Sequence, residues 1–187
     1  MNVKDAIEKR RAYRSLDPVE ITDEMIEDLA KSASLSPSCF NNQPWKYVFV
    51  HDEENLNELY ETLSNNNDWA YNSSMIIGVT AKKEDDCVIK GGREYYLFDT
   101  GLATSMLILR ATEMGLVAHP IAGYSESGAK EVMSIPDEYR LITLVIVGKH
   151  SDEIKEELTE KQAKTEKKRP PRKDLEEFAF HNEFNNI

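Results

Sequence analysis

Two groups of cations stand near opposite ends of an acidic chain of 187 residues, and both are rich in arginine. Arg10, Arg11 and Arg14 form the first, and Lys167, Lys168, Arg169, Arg172 and Lys173 the second. Arginine suits a phosphate because its planar fork donates two parallel, charge-assisted hydrogen bonds. Between them runs a dense polar turn, Pro37-Ser38-Cys39-Phe40-Asn41-Asn42-Gln43-Pro44-Trp45, whose amides can read the polar edge of a flat heterocycle. Arg10 and Arg14 are four apart, close enough to converge on one anion if the turn stays nearly helical. A net charge of −11 argues against nucleic acid or an anionic membrane as the general partner, so the local arginines point to one small anionic ligand.

Other chemistries find little support. His51, His119, His150 and His181 show no metal-ligand spacing, and HExxH is absent. Asp85-Asp86-Cys87 reads as a solvated loop rather than a metal site, and no metal is expected. Gly91-Gly92 belongs to neither GxGxxG nor GxxxxGK[ST], so a Rossmann site or P-loop is not expected. Cys39 and Cys87 are the only cysteines and form no CxxC pair, which argues against a disulfide framework and a zinc ribbon. Cys39 reads as a small side chain in a crowded turn, with no histidine placed to make it a nucleophile.

The elements that must position these groups follow from periodicity. Val3 to about Arg11 reads as a short helix with Val3 and Ile7 stacked at i, i+4. Thr22 or Asp23 caps a second helix whose apolar face is Met25, Ile26, Leu29, Ala30 and Ala33, and which Pro37 stops. Tyr47–Val50 reads as a buried strand that fixes the polar turn through Trp45. Asp52 caps a third helix carrying Leu56, Leu59 and Leu63, and Met75–Thr80 is a second buried strand. A long helix from about Glu94 to Met114 ends at Gly115. Its run Met106-Leu107-Ile108-Leu109 predicts cover on most sides. Leu116–Ala118 starts a short strand, Gly128–Met133 a small helix, and Leu141–Val147 is the strongest strand. Such alternation predicts an α/β or α+β sandwich.

The length suits one domain over 1–187. Residues 150–168 form a charged connector, either a solvated helix or an extended linker, and 169–187 an aromatic tail that packs on the fold or on a partner subunit. No apolar run approaches the roughly 20 residues that span a bilayer, and Met1-Asn2-Val3-Lys4-Asp5 is too polar for a signal peptide. No membrane partner and a cytoplasmic location are the expectations.

Taken together these residues resemble the FMN-dependent nitroreductase family. Arg10-Arg11-Ala12-Tyr13-Arg14 is similar to its N-terminal basic pattern, and Pro37, Ser38, Asn41, Gln43, Pro44 and Trp45 match its loop Pro-Ser-x-x-Asn-x-Gln-Pro-Trp. Asp99-Thr100-Gly101 with Met114-Gly115-Leu116 resembles its central helix and exit, and Lys167-Lys168-Arg169-Pro170-Pro171 its final basic segment. The resemblance implies an α+β sandwich with a mainly antiparallel sheet flanked by helices. It also implies a domain-swapped homodimer with two FMN sites at the interface. Arg10, Arg11, Ala12, Arg14, Lys167 and Arg169 would then surround the phosphate and the flavin's polar edge. Pro37, Ser38, Cys39, Asn41 and Gln43 would come from the other subunit, and Pro120, Ile121, Ala122 and Gly123 would pass beside the ring. Ala12 departs from the serine common there, the short polar stretch from Leu63 to Arg93 leaves room only for a small lid, and one of Asn65, Asn66 and Asn67 could approach the flavin.

The chemistry so implied is that of the cofactor. NADH or NADPH would deliver hydride to FMN and leave, and a nitroaromatic, quinone or similar electron-poor acceptor would take the electrons in a ping-pong exchange. No side chain need act as an essential acid or base, so no catalytic residue is assigned. Two alternatives share the architecture: a flavin-binding storage or sensor protein with little turnover, and a specialised flavin reductive dehalogenase.

Overall fold

A computed structural model describes residues 1–184. In chain order the elements are α1 (Val3–Lys9), β1 (Leu16–Asp17), α2 (Asp23–Ser34), β2 (Trp45–Val50), α3 (Glu53–Tyr60), β3 (Met75–Ala81), α4 (Tyr95–Glu113), β4 (Leu116–Ile121), α5 (Glu126–Val132), β5 (Arg140–His150) and α6 (Glu160–Lys167). The helices start where short polar side chains can take orphan N–H groups. Thr22 Oγ1 accepts from Met25 N, Asp52 Oδ1 from Asn55 N and Thr159 Oγ1 from Gln162 N. Gly115 ends α4 at φ 82°, in the left-handed region that glycine adopts without strain.

β5 is the axis of the sheet. It pairs antiparallel with β3 and β4, and β3 pairs antiparallel with β2. Lys149 faces both Leu116 of β4 and Asp17 of β1, so the short β1 lies on the edge that β5 shares with β3. Every strand pairing among the described residues is antiparallel, as the α+β expectation requires. Side chains alternate across the sheet into two cores. On one face Ile76, Leu144 and Ile146 meet Leu56 and Leu59 of α3, Ala129 of α5 and Trp69. On the other, Met75, Ile77, Val145 and Val147 meet Leu29 and Ala33 of α2 and Ala103, Leu107 and Ala111 of α4. Gly78 lies where a Cβ would stand 2.5 Å from Met133 Sδ, so α5 approaches β3 only over a glycine.

Two expectations need correction, and two are settled. Val3 and Ile7 are exposed, and α1 buries Ala6 instead, because only that residue faces the body. α4 is covered on one side only: Phe98 is 57% exposed, and Leu97 and Met106 also reach the surface. Of the two readings of the charged segment after Lys149, helix or linker, residues Glu160–Lys167 form the helix, α6, with a reciprocal Thr159/Gln162 capping box and a buried Glu166. The buried strand expected at Met75–Thr80 is β3, buried along its whole length within the otherwise polar stretch from Leu63 to Arg93. Of the aromatic tail, Phe178 and Phe184 are exposed within one chain, and the Phe180 and Phe184 rings pack tilted at 4.5 Å. No described helix is long and apolar enough to cross a membrane.

Candidate functional site

The first arginine segment leaves α1 and runs across the end of the sheet on an aromatic bed. Tyr13 stacks on His150 at 3.6 Å, with the Arg11 guanidinium 4.4 Å from the Tyr13 ring centroid. Trp69 stacks on His119 at 4.7 Å, with Arg14 5.7 Å above the indole. His119 Nδ1–H donates to the Tyr13 carbonyl at 3.0 Å. Burial, with Arg14 and Arg10 nearby, lowers the imidazole to about 4, so it is neutral at pH 7.

α6 brings the second basic segment to the first. Buried Glu166 accepts from the backbone N–H groups of Arg14, at 2.9 Å, and Ser15, at 3.3 Å. Arg11 donates to the carbonyls of Thr165 and Glu166, and Arg169 to those of Glu8 and Arg10. Between the strands of this clamp lies a cleft of about 210 Å³, lined by Arg10, Arg11, Ala12, Arg14, Thr165, Arg169, Pro170 and Arg172. No described ion pair engages any of its arginines. Burial first, and then Arg169 and Arg172, hold Arg10 below its ordinary pKa, while burial lowers Arg14 against the pull of Glu166. Crowded cations of this kind gain from a small polyanion, and the cleft has room for a phosphate.

The cleft gathers Arg10, Arg11, Ala12, Arg14 and Arg169, but not Lys167, which is exposed on the last turn of α6 and does not line it. Arg172 stands in the cleft, although the sequence reading left it in the basic cluster without a role. Arg11 spends its fork on backbone carbonyls, a structural task that its sequence position does not reveal. Pro120–Gly123 continues from His119 at the end of β4. Its last residue is gripped by the Asn67 amide, which donates to the Gly123 carbonyl at 2.9 Å, and by Ser64 N–H at 3.0 Å. Gln162 of α6 in turn donates to the Asn66 carbonyl.

The polar turn lies apart from this assembly, and no described hydrogen bond joins the two. Phe40, Asn41 and Gln43 all have φ near 50–60°, and Phe40 is 93% exposed. Left-handed backbone at successive non-glycine residues is strained. Local bonds hold it: Ser38 Oγ accepts from Gln43 N, the Gln43 amide donates to the Asn41 carbonyl, and Cys39 N donates to Asp99 Oδ2 at 2.7 Å. Asp99, at the start of α4, is buried, and burial raises its carboxyl above the ordinary range, with Asp86 adding to the rise.

Cys39 corrects the sequence reading, because it is disulfide-bonded to Cys87. The two are 48 residues apart, yet the β2–β3 register pairs Trp45 with Ala81, and each cysteine lies six residues beyond that pair. Spacing in the sequence conceals a contact that strand pairing imposes. Asp86 departs from the solvated loop as well, being buried at 6% exposure.

Fold and cleft define an α+β protein whose arginines can take a small polyanion. A model of the Nitroreductase family matches residues 7–70, a span holding both the first arginines and the polar turn. A protein of Archaeoglobus fulgidus named "Putative NADH dehydrogenase/NAD(P)H nitroreductase" is 29% identical over 148 residues, covering 77% of this chain and 83% of its own. A solved oxidoreductase containing FMN superposes with a TM-score of 0.85 at 26% identity, over 100% of this chain and 95% of that one. A nitroreductase family protein from Clostridium novyi gives 0.75 at 27% identity, over 81% and 87%. The chain is thus similar to nitroreductase family proteins over most of its length, and its residues 7–70 match that family's model.

Proposed function

We propose that the protein is an FMN-dependent oxidoreductase that takes hydride from NADH or NADPH and reduces an electron-poor small molecule such as a nitroaromatic or a quinone. The observation that carries this reading is the arginine cleft without ion-pair partners, built from both ends of the chain. FMN fits its donor set through the phosphate, which Arg10, Arg14, Arg169 and Arg172 would hold while Arg11 and Glu166 keep the segments together. When bound, the flavin supplies two-electron chemistry, and the protein supplies binding, orientation and electrostatics. The relatives' names support the same reading, one carrying NAD(P)H nitroreductase and another FMN.

The site is completed by a second copy of the chain. In one chain the turn with Pro37, Ser38, Cys39, Asn41 and Gln43 is separate from the arginine cleft, while Phe98 and Met106 of α4 and the tail residues Phe178 and Phe184 expose apolar surface. A homodimer would bury that surface and bring the turn of one copy to the cleft and Pro120–Gly123 of the other. Lys167 is left out of the phosphate set. Initial rates of NAD(P)H oxidation by FMN-loaded protein, at several fixed concentrations of a nitroaromatic or quinone, test the function. Parallel double-reciprocal lines are expected for the two-step exchange. Stoichiometric FMN binding without turnover would replace the enzyme by a flavin carrier.

A further inference from the structure

Cys39, Asp86 and Cys87 stand outside the arginine cleft, and the proposed flavin chemistry gives Asp86 and Cys87 no task. One ligand atom from each lies within 4.8 Å of the others. Asp86 Oδ1 accepts from the Asn42 amide at 3.3 Å, and Oδ2 is buried with no N–H or hydroxyl donor among the described residues, its polar neighbour being the buried Asp99 carboxyl, which Asp86 helps to hold above its ordinary range. Two buried carboxyls facing each other are costly when both are ionised, and a cation at Asp86 relieves that cost as well as a shared proton does. The Asn42 amide also lies 3.7 Å from Cys87 Sγ, so Asn42 fixes the carboxylate and the sulfur in one place. Two sulfurs with one carboxylate oxygen suit zinc or cadmium, whereas calcium and magnesium ask for oxygen donors throughout.

We propose that reducing the Cys39–Cys87 disulfide opens a site for a zinc-class divalent cation, held by the two thiolates and the Asp86 carboxylate, with a fourth position left to water. The redox step is balanced by two molecules of a low-molecular-weight thiol. They give two electrons and two protons to the cystine and leave as their own disulfide. The cation then displaces the two thiol protons as it binds. Disulfide and cation would each tie the polar turn to residues 83–88, so only the reduced, metal-free protein loses that tie. Nothing in this proposal depends on flavin binding.

The test uses the full chain, reduced anaerobically with a phosphine and then freed of it. Titration with Cd²⁺ should develop thiolate-to-metal charge-transfer absorption that saturates at one ion per chain, releases two protons and is reversed by excess Zn²⁺. The oxidised parent should show none, and Ca²⁺ or Mg²⁺ should not compete. Asp86→Asn should weaken Cd²⁺ at least tenfold, and Cys87→Ser should weaken it more and reduce the absorption. Zn²⁺ should raise the melting temperature of the reduced parent and leave that of the oxidised parent unchanged, a readout that needs no variant to fold. A reduced parent that neither absorbs with Cd²⁺ nor gains thermal stability with Zn²⁺ would overturn the site. So would an Asp86→Asn variant with parental affinity.

Discussion

Arg10 offers the sharpest perturbation, because its guanidinium lines the cleft and none of the described hydrogen bonds or ion pairs uses it. Among the described residues its bonds are made only by the backbone: its N–H closes α1 on the Ala6 carbonyl, and its carbonyl accepts from Arg169. Arg10→Ala therefore removes a cation and leaves the clamp standing. If that cation makes one charge-assisted bond to the FMN phosphate, its loss should cost about 1.5–3 kcal/mol, or roughly one to two decades in Kd. The apoprotein should not lose stability, since burial, and then the nearby Arg169 and Arg172, hold this arginine below its ordinary pKa. Flavin fluorescence quenching measures the Kd, and riboflavin, which lacks the phosphate, is the control. FMN affinity should fall, its salt dependence should shrink, and riboflavin affinity should stay put. Equal losses for FMN and riboflavin, or no loss for either, would refute a phosphate role for the cleft.

Arg11→Ala should do the reverse. It breaks bonds to the Thr165 and Glu166 carbonyls, so the apoprotein's melting temperature should drop by several degrees, about 1–3 kcal/mol of stability. Glu166→Gln should cost a similar amount, because an amide cannot accept from Arg14 and Ser15 N–H groups as a carboxylate does, and denaturant midpoints check it. His119 has a folded pKa lowered to about 4 from an ordinary 6.5, so the unfolded chain binds the extra proton. Its contribution is complete above about pH 6.5 and is lost as pH falls toward 4, on the order of 3 kcal/mol. His119→Asn should flatten that part of the stability–pH curve, and an unchanged curve would count against the burial argument. Phe98→Glu on the open face of α4 should yield a monomer in sedimentation and weaken FMN binding with it. A variant that remains dimeric would move the interface elsewhere.

What could be read in advance was whatever rests on local rules. Thr22, Asp52 and Gly115 mark helix ends because capping needs only neighbours in sequence, and β3 and β5 announce themselves as apolar runs. The arginines of the cleft were visible as types, but their separate duties were not. Arg11 and Arg10 differ only in which carbonyls happen to lie nearby, and those carbonyls belong to residues more than 150 positions away. Glu166 was invisible for a related reason. Its segment is uniformly charged, and nothing local distinguishes the one acid whose partners are backbone N–H groups of another segment. The Cys39–Cys87 link required the β2–β3 register, which depends on pairing rather than spacing. Similarly, the run from Met106 to Leu109 predicted a covered helix, whereas a single chain covers one side of it.

The central claim is that the arginine cleft serves a redox flavin, and one spectrum tests it. Purified protein loaded with FMN and cleared of free flavin is placed under anaerobic conditions, and NADH or NADPH is added. The account predicts a yellow protein with one flavin per chain that bleaches, then recovers its colour when a nitroaromatic or quinone is admitted. Protein that cannot retain FMN, or whose bound flavin stays oxidised with both nucleotides, would contradict it.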